Sequence, residues 1–154
     1  MQEKLSRSLL PVANKRLIDV MLLGVLSAGT YLLPFANYVF RQSIFNFNGY
    51  FFLSGRTIMN QTVQITPAPM IGVFALPIIL TILAGFLFKQ MSPRRSGILI
   101  ILIGIFQLGF TVIATTQLGN IMPGVRRVTP GIGLIFMALI GLALIVRGAH
   151  VLYL

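Results

Sequence analysis

The 154-residue chain has no cysteine, no tryptophan, a single histidine (His150) and two acidic residues, Glu3 and Asp19. Each absence removes a class of chemistry. Without cysteine there is no disulfide to brace a loop, no thiolate nucleophile and no thiolate metal ligand. One histidine cannot supply paired imidazole ligands to haem, and no Cys or carboxylate stands near it in sequence to complete a zinc or di-iron site. Both acids fall within the first 19 residues, so the stretch from Val20 to Leu154 holds no carboxylate for general acid–base work. These omissions point to a non-enzymatic protein with no metal and no cofactor.

Charge of either sign is scarce too. Charged residues make up 9% of the chain, where a soluble domain carries about 25%. Hydrophobic residues make up 56%, and the mean hydropathy is +0.94. Such a chain cannot cover itself with polar surface in water, and an all-α integral membrane protein is the expected class. The net charge of +10 comes from basic residues scattered in ones and twos between apolar runs, which is the pattern of loops joining membrane spans. A partner in the lipid bilayer is expected, and no nucleic acid.

A transmembrane helix needs about 20 mostly apolar residues to cross roughly 30 Å of hydrocarbon. Four stretches qualify: residues 17–38, 70–88, 97–116 and 132–154. They divide the chain into a basic leader (1–16), a long first connection (39–69), a short turn (89–96) and a second connection (117–131). The first apolar run is too long for the core of a signal peptide and no clear A-x-A site follows it, so an uncleaved anchor is expected. Lys4, Arg7, Lys15, Arg16, Lys89, Arg94, Arg95 and Arg147 fall on one side of this arrangement, and Arg41, Arg56, Arg126 and Arg127 on the other. The excess of Lys and Arg marks the cytoplasmic side. The expectation is a four-helix bundle in the cell membrane with both termini cytoplasmic.

The first exterior connection reads as a small β structure. Ile44–Phe47 and Tyr50–Leu53 flank Asn48-Gly49, a strong hairpin signal. Residues 57–66 follow, with strict alternation and β-branched residues from Thr62 to Thr66. An antiparallel sheet of two or three strands, ended by Pro67 and Pro69, is predicted on the exterior face. Aromatics concentrate here. Phe35, Tyr38, Phe40, Phe45, Phe47, Tyr50, Phe51 and Phe52 are eight of the sixteen in the chain. They suit an interfacial belt and a sheet core, and Phe45, Phe47, Tyr50, Phe51, Phe52 and Arg56 also form a candidate docking surface.

Inside the third span, Gln107, Thr111 and Thr115 follow Gly104 on one helix face. An amide in hydrocarbon needs a partner. Gln107 is expected to bond a neighbouring helix, or else to belong to a polar site for a headgroup, quinone or solute. Small residues recur at heptad spacing: Gly97 with Gly104, Gly131 with Ala138, Gly141 with Gly148. This spacing suits close left-handed helix packing, within the chain or against another subunit. Pro77 is expected to kink the second span. Asp19, one turn after Lys15 and Arg16, is expected to pair with them, while Arg147 snorkels to the cytoplasmic boundary beside His150.

Four spans, cytoplasmic termini and a β-rich first exterior loop resemble the layout of the claudin and peripheral myelin protein type of four-helix membrane proteins. That family's first-loop signature pairs tryptophan with two cysteines, and Asn48–Gly55 does not match it. The resemblance implies a non-catalytic assembly role and transfers no individual residue. The function expected is a membrane subunit or scaffold assembling with itself or with a larger membrane complex, such as a transporter. The alternative is a small transporter or pore component, working as an oligomer and lined by the Gln107 stripe.

Overall fold

A computed structural model describes residues 18–40, 42–54, 56–58, 61–63, 79, 82, 91–118 and 127–153. The basic leader lies outside the described residues, as do Pro77 and the second span, apart from Ile79 and Ile82, which are helical.

Helix α1 (Ile18–Thr30) covers about 20 Å at 1.5 Å per residue. It ends eight residues before the end of the predicted first span, and β1 (Pro34–Phe40) takes up the remainder. The stop is local. Amides of Tyr31, Leu32 and Leu33 bond back three residues to Ala28, Gly29 and Thr30, tightening the last turn. Pro34 then has no N–H to continue the helix and disfavours helical backbone at Leu33.

Strand β2 (Ser43–Asn48) pairs antiparallel with β1, placing Tyr38 opposite Phe45 and Phe40 opposite Ser43. The reversal therefore falls between Phe40 and Ser43 and not at the predicted Asn48-Gly49. Gln42 turns the chain at φ 137°, a backbone region natural to glycine. Replacing this exposed residue by glycine is expected to stabilise the protein by about 1 kcal/mol, readable as a raised midpoint of thermal unfolding in detergent. Gly49 instead opens a short helix, α2 (Gly49–Ser54). A Cβ on it would lie 2.7 Å from the Phe35 ring and 2.8 Å from the Tyr31 Cα, so close packing, and not turn geometry, requires glycine there.

The predicted strand over residues 57–66 is broken in the structure. Strands β3 (Arg56–Ile58) and β4 (Gln61–Val63) fold against each other antiparallel, with Thr57 opposite Thr62. Residues 64–66 lie outside the described residues.

Helix α3 (Pro93–Gln117) has 25 residues and α4 (Ile132–Leu152) has 21, so they extend about 37 and 31 Å. Both are long and apolar enough to cross a membrane. α3 starts inside the predicted turn because Pro93 sits in its first turn, where a missing N–H costs nothing. The Ser92 carbonyl accepts from both the amide and the hydroxyl of Ser96. Between the two helices, β5 (Arg127–Pro130) joins the other edge of β1 and makes a three-stranded sheet in the order β2-β1-β5. Tyr38 thus stands between Phe45 and Val128. This third strand comes from the second connection, 117–131, so the sheet draws on both exterior connections and not on the first alone.

Two apolar clusters fill the interior. At the sheet end, Tyr31, Phe35, Tyr38, Phe47, Phe110, Ala114, Leu134 and Met137 pack together. At the opposite end, Val20 of α1 packs with Ile100 and Ile103 of α3 and with Leu144 and Val151 of α4.

Candidate functional site

The polar and small residues of α3 meet those of α4 along one line. Gly104 faces Gly141: a Cβ added to Gly104 would lie 2.7 Å from the Gly141 carbonyl oxygen. One heptad away, a Cβ on Gly148 would lie 2.8 Å from the Gly97 carbonyl oxygen. The helices cross where neither carries a side chain, so their backbones touch. Ala138, half-buried, lies one helical turn from Gly141 on the sheet side of this contact. Gly131 caps α4 against β1, donating its amide to the Phe35 carbonyl at 2.8 Å. Thus the candidate glycines pack within the chain, at Gly97–Gly148, Gly104–Gly141 and Gly131–Pro34.

Gln107 is fully buried and its Nε2 donates to the Met137 carbonyl at 2.9 Å. That carbonyl also lies within α4, so the amide ties the two helices together through backbone. Thr111 Oγ1 donates to the Gln107 carbonyl and Thr115 Oγ1 to the Thr111 carbonyl, each four residues back along α3. Both hydroxyls are therefore turned onto their own helix. Gln107 Oε1 has no hydrogen-bond partner among the described residues.

The aromatic candidates divide. Phe47 is buried against Tyr38, with ring centroids 4.9 Å apart in an edge-to-face arrangement, so it belongs to the core and not to a docking surface. The reason is alternation: Phe45 and Phe47 share the inner face of β2, while Ile44 and Asn46 point outward. Phe45 and Phe51 pack half-buried against the same cluster. Tyr50 is exposed, its ring tilted by 41° against that of Phe51 with centroids 4.0 Å apart. The side chains of Phe52 and Arg56 lie outside the described residues. Phe35, another of the eight clustered aromatics, is wholly buried, as suits a core residue. It is the extra residue of a bulge in β1, where Pro34 opposes Asn48 and Ala36 opposes Phe47, and the bulge turns its ring into the interior.

Tyr38 is almost wholly enclosed, and its hydroxyl has no partner among the described residues. Burial pushes its phenol above the ordinary tyrosine range. The folded state therefore keeps the proton where the unfolded chain releases it, and this contribution to stability is present below about pH 10 and is lost as pH rises toward about 12. Tyr38→Phe removes an unpaired buried hydroxyl. The variant is expected to match or exceed wild-type stability by about 1 kcal/mol and to show a shallower decline of melting temperature above pH 10.

At the end of the helices away from the sheet, Asp19 Oδ2 accepts from Arg147 Nη2 at 2.7 Å. Asp19 thus pairs with a residue of α4, 128 positions away; Lys15 and Arg16, the partners expected one turn earlier, lie outside the described residues. His150 lies on the same face of α4, beside a groove between α1 and α4. Among the described residues no group of three or more His, Cys, Asp or Glu stands close enough to hold a metal ion. No protein-family model, curated protein or solved structure matches the chain.

Proposed function

We propose that the protein is a non-catalytic, multi-pass membrane subunit whose described part is a packing unit for a larger assembly. The observation carrying this reading is the inversion of polarity across α3 and α4. Their glycines and amide face each other, while Leu102, Ile105, Val112, Ile113, Ile135, Leu139, Leu142 and Val146 are exposed on the outside. In the most apolar stretches of the two helices only 44% and 33% of positions are buried, too few for core helices of a water-soluble domain. Lipid tails or partner helices are the media that suit such a surface.

In this reading α1, residues 70–88, α3 and α4 form a four-helix bundle in the cell membrane. Arg94, Arg95, Arg147 and Asp19 mark the cytoplasmic end and the sheet stands outside. The small-residue faces are occupied within the chain, so a second copy or a different membrane protein docks on the outer apolar faces and on the exposed Tyr50 and Ile44 at the sheet end. Affinity purification in mild detergent at native expression should recover a stoichiometric partner or a defined homo-oligomer; a clean monomer would overturn the proposal.

The polar stripe favours packing over a pore lining, because its Nε2 and both threonine hydroxyls are already bonded within the chain. Gln107→Leu is accordingly expected to cost about 0.6 kcal/mol, the average for an interhelical hydrogen bond in a bilayer. It should leave assembly intact. Loss of solute flux in proteoliposomes on this substitution would favour the pore instead.

A further inference from the structure

The groove between the start of α1 and the end of α4 has a volume of about 670 Å³, within the roughly 300–1,000 Å³ of small-molecule sites. Its floor is apolar, formed by Leu22 of α1 with Ala143 and Val146 of α4. Its rim carries Asp19, Arg147 and His150. Ala143, Val146, Arg147 and His150 recur at three- and four-residue spacing, so one face of α4 runs from apolar trough to charged rim along its length. This is the profile of an amphiphile, with a polar head at the rim and a chain lying toward the middle of the helices.

The rim also selects the head. The ion pair engages Oδ2 of Asp19 and Nη2 of Arg147, and the side chains remain 55% and 26% exposed, respectively. Among the described residues, Asp19 Oδ1 is left as an acceptor and the other Nη protons of Arg147 as donors, with the His150 ring alongside. Charges of opposite sign therefore stand side by side. A purely anionic headgroup would satisfy Arg147 but meet the repulsion of Asp19, and a choline ammonium has no N–H to donate to a carboxylate. A headgroup with a phosphate and a primary ammonium can meet both charges at once.

Resting on the membrane reading above, we propose that this groove binds phosphatidylethanolamine, its phosphate on Arg147 and His150, its ammonium on Asp19 and one acyl chain along Leu22, Ala143 and Val146. The test uses the full chain purified in detergent and native mass spectrometry with phosphatidylethanolamine, phosphatidylcholine and phosphatidylglycerol of identical acyl chains. Wild type should retain phosphatidylethanolamine at least tenfold better than the other two. Asp19→Asn should abolish the preference over phosphatidylcholine. Ala143→Phe fills the trough without touching the ion pair, and should cut retention at least tenfold while leaving the melting temperature unchanged. Equal retention of the three lipids by wild type, or undiminished retention by Ala143→Phe, would overturn the site while leaving the protein a membrane protein. Recovery of wild type in the aqueous fraction without detergent would overturn the membrane reading and the site together.

Discussion

Replacing Gly131 by alanine is expected to destabilise the protein by about 3 kcal/mol, at the upper end of the usual cost of overpacking. Gly131 has φ −84° and ψ 167°, an ordinary extended conformation that alanine adopts freely. The cost is therefore steric. An added Cβ would press into the Pro34 carbonyl group, 2.6 Å from its carbon and 2.9 Å from the Phe35 carbonyl carbon. Those are backbone atoms of the central strand and cannot rotate away as a side-chain end would. Moving them breaks the Gly131–Phe35 hydrogen bond and shifts the bulge that seats Phe35 between Gly49 and Gly133. Unfolding of the variant in detergent, followed by tyrosine near-ultraviolet circular dichroism, should show a lowered midpoint together with early loss of the aromatic signal. A midpoint unchanged from wild type would mean that α4 does not start against β1.

Gly104→Ala and Gly109→Ala should act in opposite directions, although the two residues lie five positions apart in the same helix. Alanine favours helix over glycine by about 0.8–1 kcal/mol at both sites. At Gly109 nothing among the described residues lies within 4 Å of the added carbon, so the variant should gain up to that amount. At Gly104 the carbon would stand 2.7 Å from the Gly141 carbonyl oxygen and 3.0 Å from the Ile145 amide nitrogen. The helices must separate there, and a net loss of about 2 kcal/mol is expected after the propensity gain. Gly148→Ala meets the Gly97 carbonyl oxygen at 2.8 Å and should cost a similar amount. Gly141→Ala should cost less, since its nearest contacts are at 3.1 and 3.2 Å. One outward movement of α4 relieves both clashes, so the Gly104→Ala, Gly148→Ala pair should cost less than the sum of its parts. Unfolding free energies by denaturing-detergent titration would read these signs directly. Stabilisation by Gly104→Ala would refute the backbone contact.

The two long helices were legible because their apolar runs are uninterrupted and their glycines recur at heptad spacing, a signal that needs no knowledge of the partner. The amide of Gln107 was legible for the same reason: a polar group in a long apolar run needs a partner, and a facing backbone carbonyl supplies it. The boundary at Pro34 was harder to read. Residues 31–40 hold a single polar amide, Asn37, among apolar and aromatic side chains, and such a run carries neither helical nor strand periodicity. Only Pro34 marks the change. Asn48-Gly49 misled because glycine answers two needs, turn conformation and close approach, and sequence does not distinguish them. β5 and the Asp19–Arg147 pair depend on contacts across about 90 and 128 positions, and nothing local announces either.

The central claim is that α3 and α4 are immersed in a bilayer with the sheet outside and the charged ends inside. The absence of native cysteine makes single-cysteine labelling clean. Ile44→Cys on the sheet should react with a membrane-impermeant maleimide in intact cells, and Ser92→Cys before α3 only after permeabilisation. Leu139→Cys, on the outer face of α4, should react in neither case until the protein is denatured. Rapid labelling of Leu139→Cys in the folded protein, or labelling of Ile44→Cys and Ser92→Cys from the same side, would contradict the account.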